Sequence, residues 1–324
     1  MGGGRGRAGS GGRAGRERGA GREGAAAAGG RLGGVDVADV LDFSSDEIGA
    51  LDRPVLLVGL EGWFDVGGAA TQAVNAFTSG THAIVVGEID PDPFYDFTQQ
   101  RPQVTVDDDA RDIVWPANEF VLQRGEGSDG QRDVVGLIGV EPHLNWRTYV
   151  DAVIAVSDAL GCEAVVTVGS GAEALPHSRI PPVTGSTAES ELAGRLGLVA
   201  PSYEGITGVA GVLQAELESR TIPAISLRVG IPHYLVNAEH PQSAAALVRH
   251  LSHVLDVPTT LDLSEQITSW REVHDEIVAG DEQLKMYVKM LEAEFDRRAE
   301  AAIPSADDLG DEFESFLRDL RDDS

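Results

Sequence analysis

Two carboxylates and a tryptophan lie close together after an apolar segment, in the stretch "PVLLVGLEGWFDVGGAAT". The apolar residues predict a strand and the alanine-rich residues predict a helix, so Glu61, Trp63 and Asp65 belong to the loop between them. Such a loop lies at the carboxyl end of a strand, where open α/β sheets bind ligands. Glu61 and Trp63 therefore predict a site for a cation or a hydroxyl-rich ligand. The alternative is that Asp65 caps the helix and Trp63 belongs to the core.

The same loop lacks the residues that bind phosphate. A P-loop requires a lysine at the start of its helix, whereas this helix begins Gly67-Gly68-Ala69. The dinucleotide fingerprint requires three glycines at fixed spacing, and the glycines of this stretch do not have that spacing. Glu61 and Asp65 would also repel a phosphate unless a metal ion lay between them. The sequence therefore argues against a nucleotide phosphate at this loop.

A second group of candidate residues follows a predicted strand, in "TVGSGAEALPHSRIPPVTG". Gly169 and Ser170 are small enough to let a ligand approach the backbone closely. Ser170 lacks the Gly-x-Ser-x-Gly pattern of a nucleophile elbow, and the sequence assigns no base to it. His177 and Arg179 lie in a proline-rich loop, and Arg179 is suited to bind a carboxylate or a phosphate. The alternative for Arg179 is a surface salt bridge.

Two more groups follow predicted strand ends. Gly205, Thr207 and Gly208 precede a helix whose free amide groups would suit an anion. The glutamate before Gly205 favours an amine or hydroxyl partner, and a tight turn that requires glycine is the alternative. His233 and Tyr234 follow a strand and a proline. His233 titrates near neutral pH, as a general base requires, and a structural hydrogen bond is the alternative.

The four groups are expected to converge in one cleft if the sheet is mostly parallel. They form a ligand-binding hypothesis, and the sequence assigns no residue a catalytic role. The eight histidines are scattered along the chain, and the sequence contains neither a cysteine cluster nor a His-Glu-x-x-His motif. We therefore predict no metal site and no cofactor.

The charge of the chain limits its partners. The net charge is −28, and residues 1–34 contain seven arginines and two glutamates, so the remainder carries −33. Such a surface repels nucleic acid and anionic membranes, and we expect neither as a partner. The single cysteine, Cys162, fits a reducing compartment, and no apolar run is long enough to cross a bilayer. These features predict a cytoplasmic protein.

Three regions differ in composition. Residues 1–34 are rich in glycine and arginine and are predicted to be disordered, residues 35–258 to form an α/β core, and residues 259–324 to form a helical extension. Strands that alternate with helices predict a mixed, mostly parallel sheet between helices. The predicted strands are 55–60, 83–89, 103–106, 113–115, 119–122, 134–140, 164–169 and 224–229, and the predicted core helices are 67–77, 146–160, 189–196, 209–220 and 241–255.

Two segments depart from this alternation. Residues 119–140 read as two antiparallel strands joined by a glycine-rich turn, and we expect this hairpin to project from the sheet and mediate self-association. The extension contains three amphipathic patterns, of which the last comprises Leu309, Phe313, Phe316, Leu317 and Leu320. We expect these helices to cover the strand-end cleft as a lid.

Several segments together resemble the proteasome assembly chaperone 2 family, in the actinobacterial branch that carries a helical C-terminal extension. They are "LVGLEGWFDVGGAATQAV", "EPHLNWRTYVDAV", "PHSRIPPVTGSTA", "PSYEGITGVAGVLQAELESRTIPAISLRVGIPHYL" and "HPQSAAALVRHLSHVL". The resemblance covers about residues 50–280. It implies an α/β core like that of nucleoside phosphorylases. It does not imply one activity, because some members assist proteasome assembly and fold likeness does not transfer catalysis.

Two functions fit these observations. The first is binding of an unknown small molecule in the strand-end cleft, with an activity of hydrolase or phosphorylase type. The second is a non-catalytic assembly chaperone or protein-interaction module. A ligand-binding protein should show a concave pocket with convergent polar groups, whereas a chaperone should show an exposed apolar patch. In either case we predict a homo-oligomer, with a trimer as the specific hypothesis.

Overall fold

A computed structural model describes residues 35–45, 48–107, 110–125, 132–259 and 261–301. The segment 1–34 and the third amphipathic pattern of the extension lie outside these described residues. Predictions for those two segments therefore remain predictions.

Eight strands form one mixed sheet, and two further strands form a separate ribbon. In chain order the strands are β1 (Leu41–Phe43), β2 (Val55–Glu61), β3 (Ile84–Ile89), β4 (Gln103–Asp107), β5 (Ala110–Val114), β6 (Asn118–Gln123), β7 (Val134–Val140), β8 (Ala164–Glu173), β9 (Val183–Ser186) and β10 (Ala224–Pro232). The order across the sheet is β1-β3-β6-β7-β2-β8-β10-β9, and β4 pairs with β5 in the ribbon. The neighbouring strands β7, β2, β8 and β10 are parallel, whereas the remaining pairs are antiparallel.

Helices cover both faces of this sheet. They are α1 (Val37–Val40), α2 (Ala69–Thr78), α3 (Trp146–Leu160), α4 (Ser190–Leu196), α5 (Val209–Ser219), α6 (Pro241–Leu255), α7 (Ser264–Ala279) and α8 (Glu282–Ala301). Successive residues of β2 point to opposite faces, so Leu56 packs in the core layer of α3 and α5, whereas Leu57 packs in the layer of α2 and α6. A strand buried on both faces requires a continuous apolar sequence, which β2 has. The predicted fold class is confirmed.

The predicted hairpin exists but does not project from the sheet. Its two strands pair with each other antiparallel, and β6 lies between β3 and β7. Phe120 and Leu122 are fully buried, because alternate residues of β6 face one layer of the core. The prediction that the hairpin at 119–140 projects from the sheet is therefore wrong. The element that stands apart is the β4–β5 ribbon, where Val104, Val106 and Ile113 are exposed.

The C-terminal helices are held by few apolar contacts. None of the sixteen residues of α7 is fully buried, and in the described part of α8 the buried residues are Val288 and Leu291. The boundary predicted after residue 258 falls between α6 and α7. No helix in the described ranges is long and apolar enough to span a membrane.

Candidate functional site

The parallel strands β2, β7, β8 and β10 have their carboxyl ends on the same side of the sheet. Glu61, Gly169 and Ser170 lie within β2 and β8, and the other candidate residues lie outside the strands. The structure divides them into two groups rather than one cleft. One group surrounds the loop after β2, and the other lies beneath α7 and α8. Asp65, Gly169 and Ser170 have structural roles instead.

Asp65 caps α2, as the sequence predicts. Its carboxylate accepts hydrogen bonds from Ala70 N at 2.8 Å and from the Thr71 hydroxyl at 2.6 Å. Ser170 is fully buried and donates to the Val66 carbonyl at 2.8 Å, which ties the capping loop to β8. Asp65 and Ser170 therefore hold the β2–α2 loop in place.

Phe64 and Trp63 are adjacent in this loop and have different surroundings. A Cβ at residue 169 would overlap the ring of Phe64. The group that packs closely against the Gly169 backbone is therefore Phe64 and not a ligand. Trp63 is 61% exposed. The alternative that placed Trp63 in the core is therefore wrong.

A glutamate not singled out in the sequence organises the first group. The Glu141 carboxylate accepts hydrogen bonds from Trp63 N at 3.1 Å and from Val209 N at 2.9 Å. Its backbone amide donates to the Glu61 carbonyl at 2.8 Å. The free amide groups at the helix start after Gly208 suit an anion, and the anion in this structure is the side chain of Glu141. The signal was its position, directly after β7 and before a proline.

Three large side chains around Glu141 face solvent, and we call them the aromatic patch. Trp63, Tyr203 and Ile206 are 61%, 74% and 82% exposed, respectively. The Tyr203 hydroxyl donates to the Ile206 carbonyl at 2.9 Å. Gly205 permits this turn, because its φ of +153° is a conformation that other residues rarely adopt.

The aromatic patch continues across the neighbouring loop. A Cβ at Gly208 would lie 3.5 Å from the Trp63 ring, so Trp63 borders the loop that carries Ile206. Thr207 in the same loop is exposed. The candidate residues Gly205, Thr207 and Gly208 thus form the backbone that presents the patch.

A shallow acidic groove of about 480 Å³ lies beside the patch. Glu61, Asp65 and Glu239 supply its carboxylates, and Gln72 and Asn75 supply neutral polar groups. Because the Asp65 carboxylate already accepts hydrogen bonds within the chain, Glu61 and Glu239 are the acids available to a ligand. The groove is suited to a cation or an amine.

The second group lies under the C-terminal helices. His177 is 1% exposed, and its Nδ1 and Nε2 lie 2.8 Å from the Tyr234 hydroxyl and 3.1 Å from Asp275 Oδ1. If Nε2 carries the ring proton, Tyr234 donates to Nδ1 and Nε2 donates to Asp275. Burial raises the pKa of Tyr234 to about 12, so its hydroxyl stays protonated at neutral pH.

Arg179 forms a salt bridge, the alternative that its sequence left open, and the carboxylate belongs to α8. Nε and Nη2 donate to the two oxygens of Asp296 at 2.9 and 2.8 Å, and Glu292 lies 3.5 Å from Nη1. These hydrogen bonds lower the pKa of Asp296 and raise that of Arg179. His233 is engaged through both ring nitrogens, because Nδ1 donates to the Glu173 carbonyl at 3.1 Å and Nε2 accepts from Tyr287 at 3.0 Å.

A buried histidine completes this interface. His240 is 1% exposed, and its Nδ1 accepts from Ser243 N at 3.2 Å at the start of α6. The Trp270 ring lies 4.4 Å from the His240 ring and 4.3 Å from that of His274. Burial, reinforced by His274 and His177, lowers the pKa of His240 to about 4.

Of the eleven candidate residues, four lie against the C-terminal helices, and the lid over a strand-end cleft stays a prediction. Helices α7 and α8 contact His177, Arg179 and His233, whereas Glu61 and Trp63 remain exposed. Among the described residues, no three His, Cys, Asp or Glu side chains are arranged to hold a metal ion.

Comparison with known proteins identifies the family. The sequence profile of the PAC2 family matches residues 59–278. The chain belongs to the PAC2 family. A PAC2 family protein from Streptomyces avermitilis shares 33% identity, with a TM-score of 0.68 over 72% of this chain and 99% of its own. A proteasome-assembly chaperone homologue from Mycobacterium tuberculosis shares 37% identity, with a TM-score of 0.65 and the same coverage.

More distant structures share the fold alone. An archaeal proteasome activator from Pyrococcus furiosus has 16% identity and a TM-score of 0.58, over 74% of this chain and 98% of its own. No curated protein sequence matches the chain. The two relatives above 30% identity, from Streptomyces and Mycobacterium, confirm the predicted resemblance to the actinobacterial branch. Helix α8 of this PAC2 protein lies beyond the matched residues.

Proposed function

We propose that this PAC2 family protein is a cytoplasmic, non-catalytic protein-binding protein of the assembly-chaperone type, and that it binds its partner through the aromatic patch. The observation that carries the proposal is the exposure of Trp63, Tyr203 and Ile206 at the strand ends. The neighbouring polar candidates His177, Arg179 and His233, in contrast, are engaged within the chain.

The energetics of the patch favour a protein partner. Burial of a large apolar side chain contributes about 1.5–3 kcal/mol, and Trp and Tyr are enriched among the residues that dominate interfaces. The backbone that carries the patch is also held in place, because the Glu141 carboxylate accepts hydrogen bonds from Trp63 N and Val209 N. Such preorganisation lowers the entropic cost of binding.

The description of one relative suggests which class of protein the partner belongs to. The Mycobacterium tuberculosis protein with 37% identity is described as a proteasome-assembly chaperone homologue. Proteasome subunits from the same cell are therefore the first partners to test.

The test measures binding of purified proteasome subunits to full-length protein by sedimentation or calorimetry. We expect Trp63→Ala and Ile206→Lys each to weaken binding at least tenfold, since each removes a central apolar contact. Met286→Lys is the matched control, because Met286 is equally exposed but lies on α8. Equal affinities for wild type and both patch variants would show that the patch is not the binding surface.

A second candidate function, binding of a small amine or cation, is favoured by the acidic groove beside Glu61. A thermal-shift screen with polyamines and metabolite amines tests it, because a ligand of the native state raises Tm by mass action. Glu61→Gln should abolish the shift. A shift that persists in Glu61→Gln would place the ligand elsewhere.

Self-association is a separate proposal. We expect a homo-oligomer, with a trimer as the specific hypothesis, whose mass would be three times the 34.2 kDa of the chain. Sedimentation equilibrium at micromolar concentration measures this directly. A mass of one chain would contradict the proposal.

A further inference from the structure

One loop of the core binds carboxylates through three consecutive residues. His177 Nε2 lies 3.1 Å from Asp275, the Ser178 hydroxyl donates to Glu292, and Arg179 makes two hydrogen bonds with Asp296. We call residues 177–179 the receptor loop. Each of its side chains is paired with an acid of α7 or α8.

The receptor loop is positioned by the core and not only by the helices. The His177 backbone amide donates to the Tyr234 hydroxyl at 2.8 Å, and Gln242 of α6 donates to the Arg179 carbonyl. The loop is thereby fixed to the segment after β10 and to the start of α6. The backbone of the receptor loop is therefore held by contacts that do not involve α7 or α8.

The geometry selects a particular kind of acidic segment. The Arg179 guanidinium presents two parallel N–H groups to one carboxylate, an arrangement that a lysine cannot reproduce. Glu292 and Asp296 are four residues apart on α8, which places both on one face of the helix. The loop thus matches a helix that carries two carboxylates one turn apart.

Helix α8 is held weakly enough to be displaced. The Arg179 side chain is 34% exposed, so water screens its ion pairs with α8. Val288 and Leu291 are the buried apolar residues of the described part of α8. Helix α7 has no fully buried residue and contacts the core through Trp270, which packs against His240.

We propose that the receptor loop is a binding site for an acidic helix of a partner protein, and that α8 occupies this site as an internal, displaceable substitute. The partner helix carries two carboxylates four residues apart, which pair with Ser178 and Arg179 as Glu292 and Asp296 do. Because α8 competes for the site, the measured affinity of the partner is reduced by the small fraction of molecules in which α8 is released. This site is separate from the aromatic patch.

The test uses a labelled synthetic peptide with the sequence of residues 282–301 and full-length protein. In the protein, Glu292→Gln with Asp296→Asn weakens the internal helix and leaves the receptor loop intact. We expect this variant to bind the peptide at least fivefold more tightly than wild type. Adding Arg179→Ala to it should lower the affinity at least fivefold, and Arg179→Lys should give an intermediate affinity because it keeps the charge and loses the paired donors.

Two controls make the test specific. Adding Arg220→Ala, which removes an equally exposed arginine paired with Asp151 and Glu216, should leave peptide affinity unchanged. A peptide with Glu292→Gln and Asp296→Asn should bind weakly. Hydrogen exchange of the wild-type protein should show faster exchange in α8 when excess peptide is added. The proposal is wrong if the weakened protein binds the peptide no more tightly than wild type, or if Arg179→Ala and Arg220→Ala have equal effects.

Discussion

Protonation of His240 is expected to couple stability to pH. The pKa of His240 is lowered from 6.5 to about 4 in the folded protein by burial and by the nearby His274 and His177. Above pH 6.5 the residue is neutral in both states, and the full stability is present. As pH falls from 6.5 to 4, the unfolded chain takes up a proton that the folded chain does not, so the free energy of unfolding decreases.

The size of the effect follows from the shift. A difference of one pKa unit corresponds to about 1.4 kcal/mol, so the two pKa values imply a total loss of about 3 kcal/mol. At pH 5 the unfolded histidine is almost fully protonated and the folded one almost fully neutral. The expected loss between pH 7.5 and pH 5 is about 2 kcal/mol.

The variant His240→Asn isolates this contribution. Asparagine is a favoured residue at the start of a helix, so it replaces the capping acceptor for α6 without a titrating group. Loss of the contact with Trp270 lowers stability at every pH and does not affect the comparison. Urea denaturation from pH 5 to 7.5 should show wild type losing about 2 kcal/mol more than the variant. Parallel pH profiles for the two proteins would refute a buried neutral His240.

Three further predictions concern stability. Glu141→Gln should lower the free energy of unfolding by about 2 kcal/mol in urea denaturation, because one of two backbone donors loses its acceptor; a change below about 0.5 kcal/mol would contradict this. Gly169→Ala should cost about 1–3 kcal/mol through overlap with Phe64, whereas Gly171→Ala, which has room for a Cβ, should cost less; equal costs would contradict the packing argument. Deletion of residues 1–34 should leave Tm unchanged, and a loss of several degrees would show that this segment supports the fold.

The sequence predicted the long, strongly patterned elements well. Strand β7 and helices α3 and α6 have the bounds that their periodicity indicated. It did not predict β1 and β9, which have three and four residues. Such short segments carry too little periodicity, and they become strands because longer neighbours offer hydrogen bonds at the sheet edges.

Residue types in the candidate site were easier to predict than their partners. The sequence left open whether Arg179 binds a ligand or forms a salt bridge, and the structure shows a salt bridge to a carboxylate. That the carboxylate is Asp296, 117 residues later in the chain, depends on how α8 packs, which local pattern does not determine. Glu141 was missed because its position after β7 and before a proline does not distinguish a capping carboxylate from an exposed acid.

The edges of the main sheet bear on how the protein behaves in concentrated solution. Both edge strands are short, so an additional strand from another molecule would gain few hydrogen bonds there. The β4–β5 ribbon is different, because its strands have five residues each and expose Val104, Val106 and Ile113. Fibril-like aggregation during concentration is therefore expected to start at the ribbon, and a lysine at position 106 would suppress it with little effect on the folded core.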